Sequence, residues 1–551
     1  MNNKYISLLW PENEQSYASR SMKLNDAAID SLDIDGFCER LLGKTDEYNY
    51  IRSILTNLCY DERVIAYRQD VFMDISSSEN LISSLENILG RLESLNLMDK
   101  EGSLLQETNL WSLFSRYKEL DSYVESIIVI KENLKDQQIK SEGLSQLKKL
   151  IENISEDKEF KQLSKSINEL TIDIDEIKSI TFGINLDTAL NPVEAAIVSV
   201  NKTSFKENSL FKNFLDSNGF GMSIKGVSKI HSLGSDPRHP IMYHLYRDIE
   251  SLLKPVVKDL LKALKRFTHI NVSFLTSLIP ELTFYLKGAE LYNFLKENRM
   301  PVCIPRILSV TDRKSEIKDI YNANLVIQLL KKNVDTSKEI VLNDVNFDDE
   351  GRVFILTGPN RGGKTVYTEA IGFAQILFQS GLFVPAAEAI MSPVDSIYSH
   401  FPVDENQTVN LGRLGEESKR LAEIFAEASS YSLILLNESL ASTSLTEGFY
   451  IALDVVKSLR YLGARVLFNT HMHDLAKEVD TINNEVEGTS KVVSLVTGME
   501  DGKRSYKIYP GEPLGKSYAS DIAERYGVSF EQIIRNIDLK KAAVQLNTAN
   551  A

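Results

Sequence analysis

The run Gly358-Pro359-Asn360-Arg361-Gly362-Gly363-Lys364-Thr365 constrains this chain more than any other stretch. It satisfies the pattern GxxxxGK[ST], directly follows the apolar run Val353 to Leu356, and directly precedes an apolar helical pattern. Strand, glycine-rich loop and helix in that order make a phosphate cradle. The glycines let backbone N–H groups close around phosphate oxygens, and the helix N-terminus adds positive potential. Lys364 is expected to reach the β- and γ-phosphates and the Thr365 hydroxyl to ligate Mg²⁺, so all eight residues form the expected ATP-binding set.

Two more strand-like runs follow. Leu433 to Leu436 ends in the polar pair Asn437-Glu438, where a sheet can present one group to the metal and another to the attacking water. Glu438 is the expected water-polarising carboxylate and Asn437 the expected metal-side residue. The run Arg465 to Phe468 is followed by His471, which reads either as a γ-phosphate sensor and water holder or as a structural histidine. His473 reads as structural. The alternation of strands and helices beyond Ile317 argues for a mainly parallel sheet covered by helices.

Upstream the texture differs. From Leu24 to Lys135 apolar residues recur at three- and four-residue spacing, as in Ile51, Ile54, Leu55 and Leu58, which predicts helices. Leu144 to Ile174, dense in Lys, Glu and Asp, reads as one long, mostly solvated helical arm. Period-two runs at Ser179 to Asp187 and Ala195 to Phe205, split by an Asn191-Pro192 turn signal, predict a small inserted β element. Helical periodicity returns from Pro240 to Asn298, with breaks expected at Pro255 and Pro280. The tail after Leu539 is expected to be frayed or weakly helical.

Composition sets limits on partners. With 62 Lys+Arg against 77 Asp+Glu in 551 residues, the net charge of −15 argues against a non-specific coat for nucleic acid or anionic membrane. Any DNA contact needs a local basic surface. Between Phe211 and Ile270 ten Lys+Arg stand against five Asp+Glu, and Lys258, Lys262 and Arg266 share one helical face, which reads as a DNA contact or a solvated face. The dispersed Cys38, Cys59 and Cys303 suit reduced core thiols. With no leader-like N-terminus and no run of about 18 apolar residues, the expected location is cytoplasmic, with no membrane partner.

The block from Val341 to Leu475 resembles the MutS-type ATPases, DNA mismatch-repair and related proteins of the ABC ATPase class. The resemblance is carried by Asn343-Asp344, by Thr357-Gly358-Pro359-Asn360 with Gly362-Gly363-Lys364-Thr365, and by Gly381-Leu382-Phe383-Val384-Pro385-Ala386. Leu436-Asn437-Glu438, Thr443-Ser444 and Thr470-His471 complete it. Gly515-Lys516-Ser517-Tyr518 with Asp521-Ile522-Ala523 is similar to the C-terminal segment through which MutS subunits dimerise. The upstream layout is similar to the family's lever and clamp domains.

The resemblance implies a multidomain chain: an α-helical lever with an inserted helical arm and small β clamp, then a C-terminal α/β P-loop ATPase domain. Expected bounds are 1–135 for the first lever half, 136–215 for arm and clamp, 216–316 for the second lever half, and 317–551 for the ATPase with its dimerisation helices. It also implies ATP and Mg²⁺ as cofactors. The implied partners are double-stranded or branched DNA, a second copy of the chain, and repair or recombination proteins. Lys202 and Lys206, at the end of the β element, are the implied phosphate contacts.

Departures from the family pattern are specific. Asn437 stands where members usually carry Asp, so an amide adds no negative charge near Mg²⁺ and hydrolysis is expected to be slow. Leu440-Ala441-Ser442-Thr443-Ser444 replaces a Gly-x-Gly-Thr-Ser run, and the signature that acts across the dimer falls on Gly412, Arg413 and Glu417. The mismatch reader's Phe-x-Glu triplet occurs at Phe37, Phe205 and Phe425, none in a suitable domain. The chain is therefore expected to lack mismatch-reading and connector domains before the lever, and a nuclease-like extension after the ATPase. Its expected function is that of an ATP-driven dimeric DNA clamp; the alternative is a nucleotide-binding scaffold that barely hydrolyses ATP and recruits proteins.

Overall fold

A computed structural model describes residues 6–43, 45–103, 110–175, 179–190, 192–203, 267, 270–359, 361–402, 412–440, 445–500, 503–513 and 526–549. The chain divides into two compact units, one of Ser83–Gln137 and Gln146–Ile279, the other of Tyr5–Ile82, Gln138–Ser145 and Pro280–Ala551.

The second unit is built on a six-stranded sheet. Its strand order is Ile397–His400, Leu433–Asn437, Arg465–Asn469, Val353–Thr357, Val492–Glu500 and Lys503–Pro510. The first five run parallel and the sixth is antiparallel to its neighbour. Every residue of Leu433–Asn437, Arg465–Asn469 and Val353–Thr357, three of the four inner strands, is buried, as expected for strands covered on both faces. On one face Val353, Ile355, Ile434, Leu436, Val466 and Phe468 join Leu421 and Ile424 of helix Gly412–Glu427 and Ala452, Val456 and Leu459 of helix Leu445–Leu462 in one core. The other face packs on the helix that follows the phosphate loop, Lys364–Gln379.

A second, four-stranded sheet lies in the same unit, in the order Arg306–Ile307, Glu388–Met391, Ser315–Ile320 and Asn343–Phe347. Arg465, fully buried, ties the two sheets. Its Nη1 donates to Ser315 Oγ and Ser392 O, both at 2.9 Å, and its Nη2 donates to Pro393 O at 2.7 Å. The N-terminal residues join this unit through Arg68 of helix Glu62–Ser76, whose guanidinium lies 4.3 Å from the Trp10 ring centroid. Arg68 also donates to Leu9 O at 3.0 Å and to Gln379 O at 3.3 Å, at the end of the loop helix.

The first unit contains the expected pair of strands, an antiparallel hairpin of Ser179–Leu186 and Pro192–Asn201. Its turn falls before the Asn191-Pro192 signal, at Asp187–Leu190, with Leu190 N donating to Asp187 O at 3.0 Å. Pro192 opens the second strand, a position where its missing N–H costs nothing.

Four expectations are corrected. Leu144 to Ile174 is two helices, Glu142–Glu156 and Lys158–Asp175, because Asp157 interrupts the pattern and caps the second through Glu159 N at 2.7 Å. Those helices are not a solvated arm: Leu144, Leu147, Ile151, Leu163 and Ile167 are buried, and Phe160 packs edge-on against Tyr123 of helix Leu110–Lys135. Pro280 does not break a helix but stands in the first turn of Leu278–Glu297, where the backbone N–H has no partner to lose. Leu58 belongs to a short strand, Asn57–Cys59, paired with Ser21–Lys23. Beyond Leu539 the chain is helical, within Phe530–Ala549, one of the two forms expected of the tail. Pro255 and the basic positions Lys258, Lys262 and Arg266 lie outside the described residues.

Candidate nucleotide site

The phosphate loop joins the C-terminal end of Val353–Thr357 to the N-terminus of Lys364–Gln379. Two of its glycines are required by geometry. Gly358 has φ +153°, and a Cβ there would lie 2.0 Å from Thr497 Oγ1 of the adjacent strand; Gly363, at φ +85°, starts the helix in the left-handed region. Gly362 N donates to Pro359 O at 3.1 Å, closing the turn. Arg361 is exposed, and Asn360 lies outside the described residues.

Lys364 is buried, and its Nζ donates to the carbonyls of Gly358 and Pro359, both at 3.1 Å. The ammonium therefore lies across the loop it is expected to serve. Burial pushes its pKa down, opposed by the charge of Glu438.

Thr365, one residue on, donates from Oγ1 to Asn437 Oδ1 at 3.2 Å. The same Asn437 oxygen accepts from Asn469 Nδ2. Asn437 and Asn469 are register partners at the ends of neighbouring parallel strands, which brings both amides to the loop. A hydroxyl and an amide oxygen thus face each other at the start of the loop helix, with the Glu438 carboxylate next in sequence. Oxygen donors of this kind suit Mg²⁺ shared with phosphates and water, with less negative charge than a carboxylate at 437 would supply.

Glu438 leaves its strand with φ 52°, and its Oε1 lies 3.0 Å from His471 Nε2. The structure therefore brings together Lys364, Thr365, Asn437, Glu438 and His471, from two strand ends and one helix. His473 is pushed below its usual pKa by burial first and by His471 second. Glu417 accepts from Leu440 N at 2.6 Å within the same chain. The side chains of Gly412 and Arg413 lie outside the described residues, as do Thr443, Ser444, Gly515–Tyr518 and Lys206. Lys202, just past the hairpin's second strand, is exposed.

A cavity of about 350 Å³ opens beside the loop, lined among others by Tyr321, Asn322, Ile340, Lys364, Glu438 and Tyr506. Sequence reasoning missed Tyr506, whose ring packs over Gly363, because nothing in Lys503–Pro510 marks one exposed-type aromatic from another. It also missed Asn469, although Leu436-Asn437 and Phe468-Asn469 end their strands alike, a repeated signal that could have paired them.

A family model for MutS domain V matches residues 354–544, and one for the MutS2 N-terminal domain matches residues 60–298. The chain belongs to the MutS family. It is 31% identical over 257 residues to the DNA mismatch repair protein MutS of Prochlorococcus marinus (strain MIT 9312), covering 46% of this chain and 26% of that protein. It is 30% identical over 200 residues to the Endonuclease MutS2 of Thermus thermophilus, covering 36% and 26%. With the Endonuclease MutS2 of Staphylococcus epidermidis (strain RP62A) the identity is 31% over 219 residues, covering 40% and 27%. The matches span about a quarter of the length of these curated relatives. Among the described residues no helix is long and apolar enough to cross a membrane.

Proposed function

We propose that this member of the MutS family is an ATP-hydrolysing DNA-binding protein whose nucleotide site is the loop and strand ends described above. The observation that carries the reading is the convergence of Lys364, Thr365, Asn437, Glu438 and His471 beside the cavity. Phosphates would enter the loop and draw the Lys364 ammonium from the Gly358 and Pro359 carbonyls. Thr365 and Asn437 would hold Mg²⁺, which when bound screens the charge of the phosphates. Glu438, oriented by His471, would take a proton from the attacking water.

The same reading makes the hairpin Ser179–Leu186 and Pro192–Asn201 a clamp, with Lys202 and Lys206 contacting DNA phosphates, in a dimer that ATP binding closes and hydrolysis reopens. Mismatch reading is not part of it. Names such as mismatch repair protein and endonuclease belong to the relatives, and the proposal takes from them only DNA as the macromolecular partner.

A second reading is favoured by Asn437 and by the net charge of −15: a nucleotide-dependent scaffold that hydrolyses ATP little and recruits proteins. ATP turnover measured with and without duplex and four-way junction DNA, with binding followed over a salt series, separates the two. The clamp expects DNA-stimulated turnover and affinity that falls steeply with salt. Turnover indifferent to DNA, with no salt-sensitive binding, rejects it in favour of the scaffold.

A further inference from the structure

The segment that carries Glu438 is bent in a way non-glycine residues rarely adopt, with φ 52° at Glu438 and φ 64° at Leu440. Such a turn persists only if its surroundings hold it. Three separate elements do so. Glu438 N donates to Asn469 O at 2.8 Å, at the end of the neighbouring strand. Ser439 Oγ lies 2.7 Å from Nδ1 of the buried His400, at the end of the edge strand, and donates to His400 O at 3.3 Å. Leu440 N donates at 2.6 Å to Oε2 of Glu417, on the second turn of helix Gly412–Glu427.

We propose that Glu417 is a positioning residue for hydrolysis in its own subunit: by holding Leu440 N it fixes the left-handed turn that aims Glu438, and it couples movement of helix Gly412–Glu427 to that aim. The carboxylate that the sequence pattern assigns to a contact across a dimer is here engaged within the chain. This inference rests on the ATPase reading above. The contact is charge-assisted, short and made to backbone, so it constrains the turn independently of which side chain occupies position 440. His400 and Ser439 supply the second anchor, so loss of Glu417 should misdirect Glu438 without emptying the phosphate loop.

The test uses the full chain. Glu417→Ala is expected to lower kcat at least tenfold while the KM for ATP stays within about threefold, and Glu417→Gln, which keeps an acceptor oxygen, is expected to restore most of the turnover. A purely structural role would lower kcat only in proportion to the folded fraction and leave turnover per nucleotide-binding chain at its wild-type value, so kcat is referred to sites counted by stoichiometric ATP binding. Should Glu417→Ala lose its cooperative melt, Glu417→Asp, one methylene short of Leu440 N, takes its place. An equimolar co-expressed mixture of Glu417→Ala and Glu438→Gln chains distinguishes the subunit in which Glu417 acts. Acting in its own subunit, each chain carries a defective site and the mixture stays inactive. Recovered turnover would assign Glu417 to the partner's site and overturn the inference, as would unchanged kcat in Glu417→Ala. Absence of turnover in the wild-type chain would instead overturn the ATPase reading and this inference with it.

Discussion

Thr365 and Asn437, 72 residues apart, meet through a 3.2 Å hydrogen bond from the hydroxyl to the amide oxygen. That oxygen also accepts from Asn469, so the amide is fixed in orientation and its neutral oxygen is what a cation would find. Replacing the amide by a carboxylate keeps both donors satisfied and adds a charge. Asn437→Asp is expected to lower the Mg²⁺ concentration that half-saturates ATP turnover roughly tenfold, equivalent to about 1.4 kcal/mol. A Mg²⁺ titration checks this; an unmoved midpoint means the amide does not limit metal binding.

Glu438 and His471 make the second prediction, through the 3.0 Å contact between Oε1 and Nε2. Glu438→Gln removes the proton acceptor with little change of shape, and turnover is expected to fall by about 10²–10⁴-fold with nucleotide affinity retained. His471→Ala frees the carboxylate without removing it, so its loss should be smaller. Single-turnover hydrolysis alongside equilibrium nucleotide binding measures both, and wild-type turnover in Glu438→Gln would refute the assigned role.

The phosphate loop and its flanking strand and helix were legible because their chemistry is local: the eight residues are contiguous, and the glycine positions are dictated by φ and close approach. Glu438 and His471 were legible as strand-end residues, one strand apart. Asn469, His400 and Ser439 were not, because their role depends on which strands are neighbours. That order, with Leu433–Asn437 between Ile397–His400 and Arg465–Asn469, is set by packing between distant segments. The Leu144 to Ile174 region misled for a related reason. Its many charges lie on one side of each helix, while Leu147, Ile151 and Leu163 on the other are buried, and Asp157 between them acts as a cap and not as one more solvated charge.

Glu281 gives a pH prediction. Its carboxylate is buried among donors, accepting from Ser7 Oγ at 2.7 Å and Leu8 N at 2.5 Å, yet burial pushes it up to about 7 against the pull of those bonds and of Arg68. A carboxyl whose folded pKa lies above its unfolded value near 4.5 leaves the native state holding more protons between the two values. Stability should therefore fall as pH rises from about 4.5 to 7 and level off above, with a contribution of at most about 3 kcal/mol. In Glu281→Gln the melting temperature should be lower at acid pH, since an acceptor becomes a donor, but this part of the slope should disappear. Thermal melts from pH 4.5 to 8 test it; an identical slope in the variant would show that Glu281 does not titrate there.

The last prediction concerns Gly358. Any side chain there must adopt φ +153°, and its Cβ would lie 2.0 Å from Oγ1 and 3.0 Å from Cβ of Thr497, which is itself buried with its hydroxyl unpartnered among the described residues. Gly358→Ala thus meets two independent obstacles, backbone strain and a clash with the strand beneath. Together they should destabilise the loop by roughly 1–3 kcal/mol. Because the carbonyl of Gly358 is also a partner of Lys364, displacement of the loop should lower nucleotide affinity more than it lowers the melting temperature. Adding Thr497→Ala removes the contact with Oγ1 but leaves the 3.0 Å contact with Cβ and the backbone strain, so the double variant should recover part of the stability and part of the affinity. Equilibrium nucleotide binding and thermal melts on the three variants check this. Full recovery in the double variant would mean that the clash with the Thr497 hydroxyl alone sets the requirement for glycine, and no recovery would mean that the backbone conformation with the remaining Cβ contact does.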